Sequence, residues 1–300
     1  MRHLVQRGLA LKRVGNGLMT LLGGREIHPV NVRVGGFHRL PERRALAAQR
    51  EQLLRARDQA LEIVHWTGTL PCPEHRLDCS LLALRHDAVY PMNEGRIAST
   101  GGLDIDATAF EDVVEEHQVP HSTALHARLV QEGTYLTGPL ARFALNADRL
   151  PAICREAARE IGLDADCRNP FRSIAVRAVE MLFACDEALR IIEDPALDLA
   201  QPPAVEVAVP ARGCAATEAP RGLLYHRYEV APDGRIRAAR IVPPTSQNQA
   251  AMEQDLRDGL GPRLDLDDDA LARFAERLVR NHDPCISCAA PFLRLTRTTR

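Results

Sequence analysis

Two cysteines near the end of the chain, in the run Asp283-Pro284-Cys285-Ile286-Ser287-Cys288, are spaced so that one soft metal ion can reach both sulfurs. A Cys-x-x-Cys pair makes two thiolates available once its pKa is lowered or a metal replaces the proton, and thiolates select zinc, iron-sulfur and nickel over hard cations. Spacing alone leaves four uses open: a zinc knuckle, thiol-disulfide exchange, an iron-sulfur cluster or a nickel site.

The other six cysteines sort differently, and Cys214 lies too close in sequence to Arg221 to be assumed a further metal ligand. Cys154, Cys167 and Cys185 lie among Ala, Ile, Val and Leu in helical segments and read as small buried apolar residues. Cys72 and Cys79, in a Pro-rich loop with His65 and His75 nearby, have a separation uncommon for zinc and no second Cys-x-x-Cys to complete four ligands. Glu115, Glu116, His117, His121 and His126 look metal-like together, but Pro120 interrupts any helix that would put His117 and His121 on one face, so they read as a solvated loop or helix start. Gly23-Gly24 and Gly35-Gly36 lack the Gly-x-Gly-x-x-Gly spacing of a dinucleotide site, and there is neither a P-loop nor a Gly-x-Ser-x-Gly elbow.

The elements that must position the terminal pair belong to a predominantly helical α+β chain, a helical core with small antiparallel sheet pieces. The N-terminus, with Arg2, Arg7, Lys12 and Arg13 among apolar residues, reads as an amphipathic helix. The segment 41–64 carries apolar residues at Leu46, Leu53, Leu54, Leu61 and Val64 with charges between, the pattern of a long amphipathic helix. Leu81–Leu84 and Arg96–Thr100 flank Asn93-Glu94-Gly95, a small β unit. Asn169 followed by Pro170 opens a helix to about Glu193 whose core face is Val176, Val179, Leu182, Phe183 and Leu189. Residues 201–210, with three prolines, read as a linker or edge strand and a place where the chain could subdivide. Runs 223–230 and 235–242, joined by Ala231-Pro232-Asp233-Gly234, predict a hairpin. Asp267 caps a last helix with the stripe Leu271, Phe274, Ala275 and Leu278, a rigid base delivering Asp283 and the two cysteines.

With 300 residues, 45% of them hydrophobic and 26% charged, the chain can bury a large core in one or two closely joined domains. No stretch approaches the roughly 18 uninterrupted apolar residues of a membrane span. A net charge of -2, with basic residues spread along the chain, gives no electrostatic case for nucleic acid. Eight cysteines without an export signal predict a reducing, cytoplasmic setting.

Three further segments occur in order with the terminal pair: Gly23-Gly24-Arg25-Glu26-Ile27-His28-Pro29-Val30-Asn31-Val32-Arg33-Val34-Gly35-Gly36-Phe37, then Thr217-Glu218-Ala219-Pro220-Arg221-Gly222, then Pro243-Pro244-Thr245-Ser246-Gln247-Asn248. Together with Asp283-Pro284-Cys285-x-x-Cys288 they resemble the large subunit of nickel-iron hydrogenases, in particular the cytoplasmic, multi-subunit, cofactor-linked and sulfhydrogenase-like branch. Gly138–Arg142, Asn169-Pro170-Phe171 and Arg177–Glu180 fit the family's middle region.

The resemblance implies the family's fold across residues 1–300 and reversible oxidation of dihydrogen. Cys285 would be a terminal nickel thiolate, and Cys288 would bridge nickel and iron. Arg221 would lie over the open coordination position, anchored by Asp283. Pro244, Thr245 and Ser246 would pack around carbon monoxide and cyanide on the iron, and the Ile241 carbonyl would bind a nearby magnesium. Glu218 and Arg25 are expected to be structural charges with satisfied partners. The implied partners are a small subunit carrying iron-sulfur clusters, flavin- or nicotinamide-linked electron-transfer subunits, and maturation factors.

Two departures matter. The family's second, N-terminal Cys-x-x-Cys, inside Arg-x-Cys-Gly-x-Cys, and an early metal-binding Glu do not occur in these residues, so the resemblance implies an N-terminally truncated large subunit. Pro291 stands where the family has a His that binds magnesium and marks tail removal, which puts both in question. The alternative function is a non-catalytic homologue with an assembly or electron-transfer scaffold role, like the related quinone-reducing subunit of respiratory complexes.

Overall fold

The structure, a computed structural model, describes residues 2–200, 203, 205, 208–285 and 296. The chain opens with α1 (Arg2–Gly23), followed by a short ribbon of β1 (Val32–Arg33) and β2 (Gly36–Phe37). Asn31 ties the open end of the ribbon by donating to the Leu22 and Arg39 carbonyls and accepting from the Arg39 N–H. Helix α2 (Arg43–Gly68) buries Leu46, Leu53, Ala56, Ala60 and Val64, the stripe its periodicity predicts, while Leu54 and Leu61 are half-buried beside it.

Next come β3 (Ser80–Arg85), β4 (Arg96–Ser99), β5 (Asp104–Ile105), α3 (Phe110–Val113), β6 (Val114–His117), β7 (His126–Leu129), β8 (Tyr135–Thr137), α4 (Pro139–Asn146) and α5 (Ala152–Glu160). Strands β3, β4 and β5 pair antiparallel, whereas β8 joins β3 in parallel, the one departure from the antiparallel pieces expected. Residues 114–129 form an antiparallel hairpin, not the solvated loop or helix start read from the sequence. His117 pairs with His126, and the turn containing Pro120 connects the two strands. The helix fails as expected at Pro120, but burial of Val114, Ala127 and Leu129 on one face, with Glu115 and Arg128 exposed on the other, favours a pleated pairing instead.

Asn169 accepts a hydrogen bond from the Phe171 N–H, a 3-10 turn follows at Pro170–Arg172, and α6 (Ser173–Glu193) buries Val176, Val179, Leu182, Phe183 and Leu189. Three long strands then form an antiparallel sheet in the order β11-β10-β9: β9 (Ala211–Ala219), β10 (Gly222–Val230) and β11 (Ile236–Val242). The β10–β11 turn is the predicted one, closed by Gly234 at φ +79°. Strand β9 is additional. The chain ends, within the described residues, in α7 (Pro244–Gln247), α8 (Gln249–Leu260) and α9 (Asp268–Asn281), the last capped by Asp267 accepting from the Ala270 N–H.

Two compact units result. One comprises residues 1–70, 151–162 and 177–208; the other comprises 71–150, 163–176 and 209–300. In the first, α1 and α5 pack on α2. In the second, Leu82, Leu84, Ile97, Phe110, Leu129, Tyr135, Leu223, Tyr225 and Val242 form a continuous core, with Phe110 and Tyr225 stacked at a centroid distance of 4.3 Å. Among the described residues, no helix is long and apolar enough to cross a membrane.

Candidate functional site

The register of β9 and β10 pairs Ala219 with Gly222, which leaves Pro220 and Arg221 as a two-residue hairpin turn. Arg221 is therefore held from both sides by sheet. Gly222 has φ +137°, and a Cβ there would lie 2.7 Å from Thr137 Oγ1 and 2.8 Å from the Gly138 nitrogen, so only glycine lets the turn approach this closely.

Side chains from two distant segments lock that approach. Thr137 Oγ1 accepts from the Leu223 N–H at 2.7 Å. Buried Asn248 accepts from the Thr137 N–H at 2.8 Å and donates to the Thr137 carbonyl at 3.0 Å and to the Arg221 carbonyl at 3.4 Å. Its neighbour Gln247, fully buried, donates to the Leu223 and Val242 carbonyls and accepts from the Tyr135 hydroxyl.

Beneath the turn lies a buried ion pair. Arg142 Nη1 donates to Glu218 Oε2 at 3.0 Å and to the Ala219 carbonyl at 2.8 Å, and Nη2 donates to the Pro220 carbonyl at 3.2 Å. Glu218 Oε1 accepts from the Leu84 N–H at 2.8 Å. Glu218 is thus a satisfied partner tying β3, α4 and β9 together. Arg25, in the other unit, donates to the His28 carbonyl.

Arg221 and Asp283 come together. Arg221 Nε donates to the Asp283 main-chain carbonyl at 2.6 Å, while the guanidinium lies 3.6 Å from the Asp283 carboxylate. The anchor is therefore mainly the backbone, presented by Asp283 in the left-handed region at φ +47° just past the end of α9. Both side chains are about 40–45% exposed. The Cys285 N–H donates to Thr245 Oγ1 at 3.4 Å, and the Ser246 hydroxyl donates to the Pro243 carbonyl. Pro244, Thr245 and Ser246 are buried in α7.

Ile241 is exposed on β11 opposite His226 and makes none of these contacts. Cys288 and Pro291 lie outside the described residues.

A buried relay next to the site was not anticipated. Asp255, fully buried on α8, is 2.5 Å from His75 Nε2 and 2.8 Å from His282 Nε2, and His282 directly precedes Asp283. No spacing rule could have found it, since His75 and Asp255 are 180 residues apart. His75 is thereby committed to Asp255, and His65 to Glu160, so neither makes a metal loop with Cys72 and Cys79.

No protein-family model matches the chain. The alpha subunit of sulfhydrogenase 1 from Pyrococcus furiosus is 29% identical over 298 residues, 97% of this chain and 68% of that protein. The alpha subunit of sulfhydrogenase 2 from the same organism is 25% identical, over 98% of this chain and 69% of its own. An NAD+-reducing NiFe hydrogenase in its H2-reduced state superposes with a TM-score of 0.83 at 25% identity, covering 96% of this chain and 69% of that one.

The chain is a homologue of the nickel-iron hydrogenase large subunits. It has their fold and spans about two thirds of the length of these relatives.

The donors present fit the family's metal centre in part. Cys285, a guanidinium and the α7 hydroxyls converge, which is the chemistry a thiolate-bound metal with anionic ligands needs. Four thiolates do not converge among the described residues. Burial pushes the thiols of Cys79 and Cys154 up to about 12 and that of Cys185 up to about 11, the opposite of what a ligating thiolate requires. Cys214 is paired with Arg227 on β9, five residues from the end of that strand and so roughly 16 Å from the turn, which removes it as a substitute ligand.

Proposed function

We propose that this chain is the catalytic, large-subunit component of a nickel-iron hydrogenase, oxidising dihydrogen reversibly. The observation that carries the reading is the convergence of Arg221, Asp283, Thr245 and Cys285, residues from three separated motifs, at one half-exposed place on the second unit.

Cys285 and Cys288 would hold nickel, Cys288 bridging to iron, with the remaining thiolates supplied from outside these 300 residues. The bound centre would supply the heterolysis of dihydrogen. Arg221, fixed on a backbone carbonyl, would hold a positive charge and hydrogen-bond donors over the reacting position. Pro244, Thr245 and Ser246 would pack around iron-bound carbon monoxide and cyanide, where a hydroxyl suits the cyanide nitrogen.

Electrons would leave through a small iron-sulfur subunit and then flavin- or nicotinamide-linked subunits, with maturation factors inserting the metals, in the cytoplasm. An exposed apolar row in the first unit, Ile27, Val30, Val32 and Val34, supports a packed partner there.

The test is expression with the family's maturation system, in two forms: these 300 residues alone, and the same chain joined to a segment carrying Arg-x-Cys-Gly-x-Cys. The first should show no hydrogen-dependent dye reduction. The second should contain stoichiometric nickel and show infrared bands of iron-bound carbon monoxide and cyanide, both diminished by Cys285→Ser. Nickel-free protein without those bands in the joined form would refute the assignment.

A further inference from the structure

The β6–β7 hairpin and α8 bring together a second group of ligand-type side chains, unrelated to the terminal cysteines. His121 Nε2 lies 2.7 Å from Glu253 Oε1, His126 Nε2 lies 3.4 Å from the same oxygen, and the three ligand atoms all fall within 4.8 Å of one another. His126 is 3% exposed, and its Nε2 is buried with no hydrogen-bond partner among the described residues. A buried imidazole nitrogen left that way is destabilising unless something fills its valence.

We propose that His121, His126 and Glu253 form a binding site for a borderline divalent cation, of which Zn2+ is the representative, clamping the β6–β7 hairpin to α8.

Two nitrogens and one carboxylate oxygen are a zinc-type donor set, and a tetrahedral ion with ligands at about 2.0–2.1 Å sets neighbouring donors about 3.3 Å apart. His126 and Glu253 already stand at that separation, and the exposed His121, 2.7 Å from Glu253 and within 4.8 Å of His126, must shift to reach it from both. The second Glu253 oxygen accepts from Arg257 at 3.3 Å, which orients the carboxylate and leaves Oε1 for the cation. Desolvation lowers the His126 pKa, with Glu253 opposing it and His117 and His121 adding to the lowering, a direction that favours the neutral ring. His121, 63% exposed on its side chain, gives the ion a route in from solvent and leaves the fourth position to water.

The Zn2+ titration should use the 300-residue chain with Cys285 and Cys288 both changed to serine, so that thiolate binding at the terminal pair cannot contribute. Calorimetry should find one equivalent. Co2+ in its place should give visible d–d absorption without a near-ultraviolet sulfur-to-cobalt band. His121→Ala removes an exposed ligand and should weaken Zn2+ affinity at least about tenfold, with circular dichroism in chelator unchanged; Glu253→Gln should weaken it too. His65→Ala, an exposed histidine paired with Glu160, should leave it intact. No Zn2+ binding by the parent, or full binding by His121→Ala, would overturn the site.

Discussion

Glu218→Ala isolates the element that aims Arg221. Glu218 is fully buried and Arg142 is 2% exposed, so the substitution leaves a guanidinium without its counter-charge in a site water cannot readily reach. Breaking a buried pair from one side costs about 3–5 kcal/mol. The Leu84 N–H loses its acceptor as well, a further penalty of about 1–3 kcal/mol if nothing replaces it. Two features reduce the total: Arg142 retains the Ala219 and Pro220 carbonyls, and the smaller side chain leaves room for a water. We expect about 4 kcal/mol, against a typical domain stability of about 5–15 kcal/mol.

The effect can be assigned to its unit, because the aromatic residues divide cleanly. The single tryptophan, Trp66, is in the first unit, and the four tyrosines, Tyr90, Tyr135, Tyr225 and Tyr228, are all in the second. Urea unfolding followed by tyrosine near-ultraviolet circular dichroism should show the midpoint fall with the slope unchanged. Glu218→Gln, which keeps an acceptor for Leu84, should lose less. The pair Arg142→Leu with Glu218→Leu should cost less than the sum of its singles by at least about 2 kcal/mol, since no charge is stranded. A Glu218→Ala cost below about 1 kcal/mol, or strict additivity in the cycle, would refute the buried-pair argument.

Three other outcomes follow from the same geometry. Gly222→Ala should destabilise the second unit by about 2–3 kcal/mol, combining a strained φ of +137° with contacts inside 3 Å on Thr137 and Gly138, read by the tyrosine signal. Arg221→Lys should change stability by less than about 1 kcal/mol, because its ion pair with Asp283 is half exposed, yet it should lower the hydrogen-oxidation rate of the assembled enzyme, since an ammonium cannot reproduce the planar fork. Cys154, fully buried with its thiol pushed up to about 12, lends stability that is complete below the unfolded thiol's pKa of about 8.5 and is lost as the pH rises toward 12; at pH 10 its share of the loss should be about 2 kcal/mol, and Cys154→Ala should remove that share in Trp66-monitored unfolding while the contribution of Cys185, raised to about 11, remains.

What the sequence made legible was local. Helix α9 follows from Asp267 and its apolar stripe, and the β10–β11 turn from Pro232-Asp233-Gly234, because caps and turns are decided within a few residues. Strand β9 was not readable: Ala211–Ala219 is mostly small and polar, shows no clear alternation, and becomes a strand because β10 pairs with it along its whole length. The same missing strand hid the position of Arg221 on a two-residue turn. The β6–β7 hairpin was obscured for a related reason, its Glu and His residues masking a one-sided burial that only the pairing reveals. Motif matching brought Arg221 and Asp283 together, but the dominant contact is to a main-chain oxygen, whose direction depends on the φ of Asp283 and is not written in side-chain identity.

That last contact bears on how the site keeps its geometry. A guanidinium tethered only to a carboxylate 3.6 Å away and 45% exposed would be free to swing, because solvent screens the pair. Tethered at 2.6 Å to a carbonyl at the end of α9, it inherits the position of a helix whose Leu271, Ala275 and Leu278 are buried. Its own Cα is fixed independently by the hairpin turn, Gly222 and Asn248. Two rigid supports, one at each end of a long side chain, remove most of the rotamer freedom that would otherwise oppose a defined orientation. Activity should therefore depend on residues that touch no reacting atom: Asn248 and Glu218 at one end of the arginine, and the buried stripe of α9 at the other.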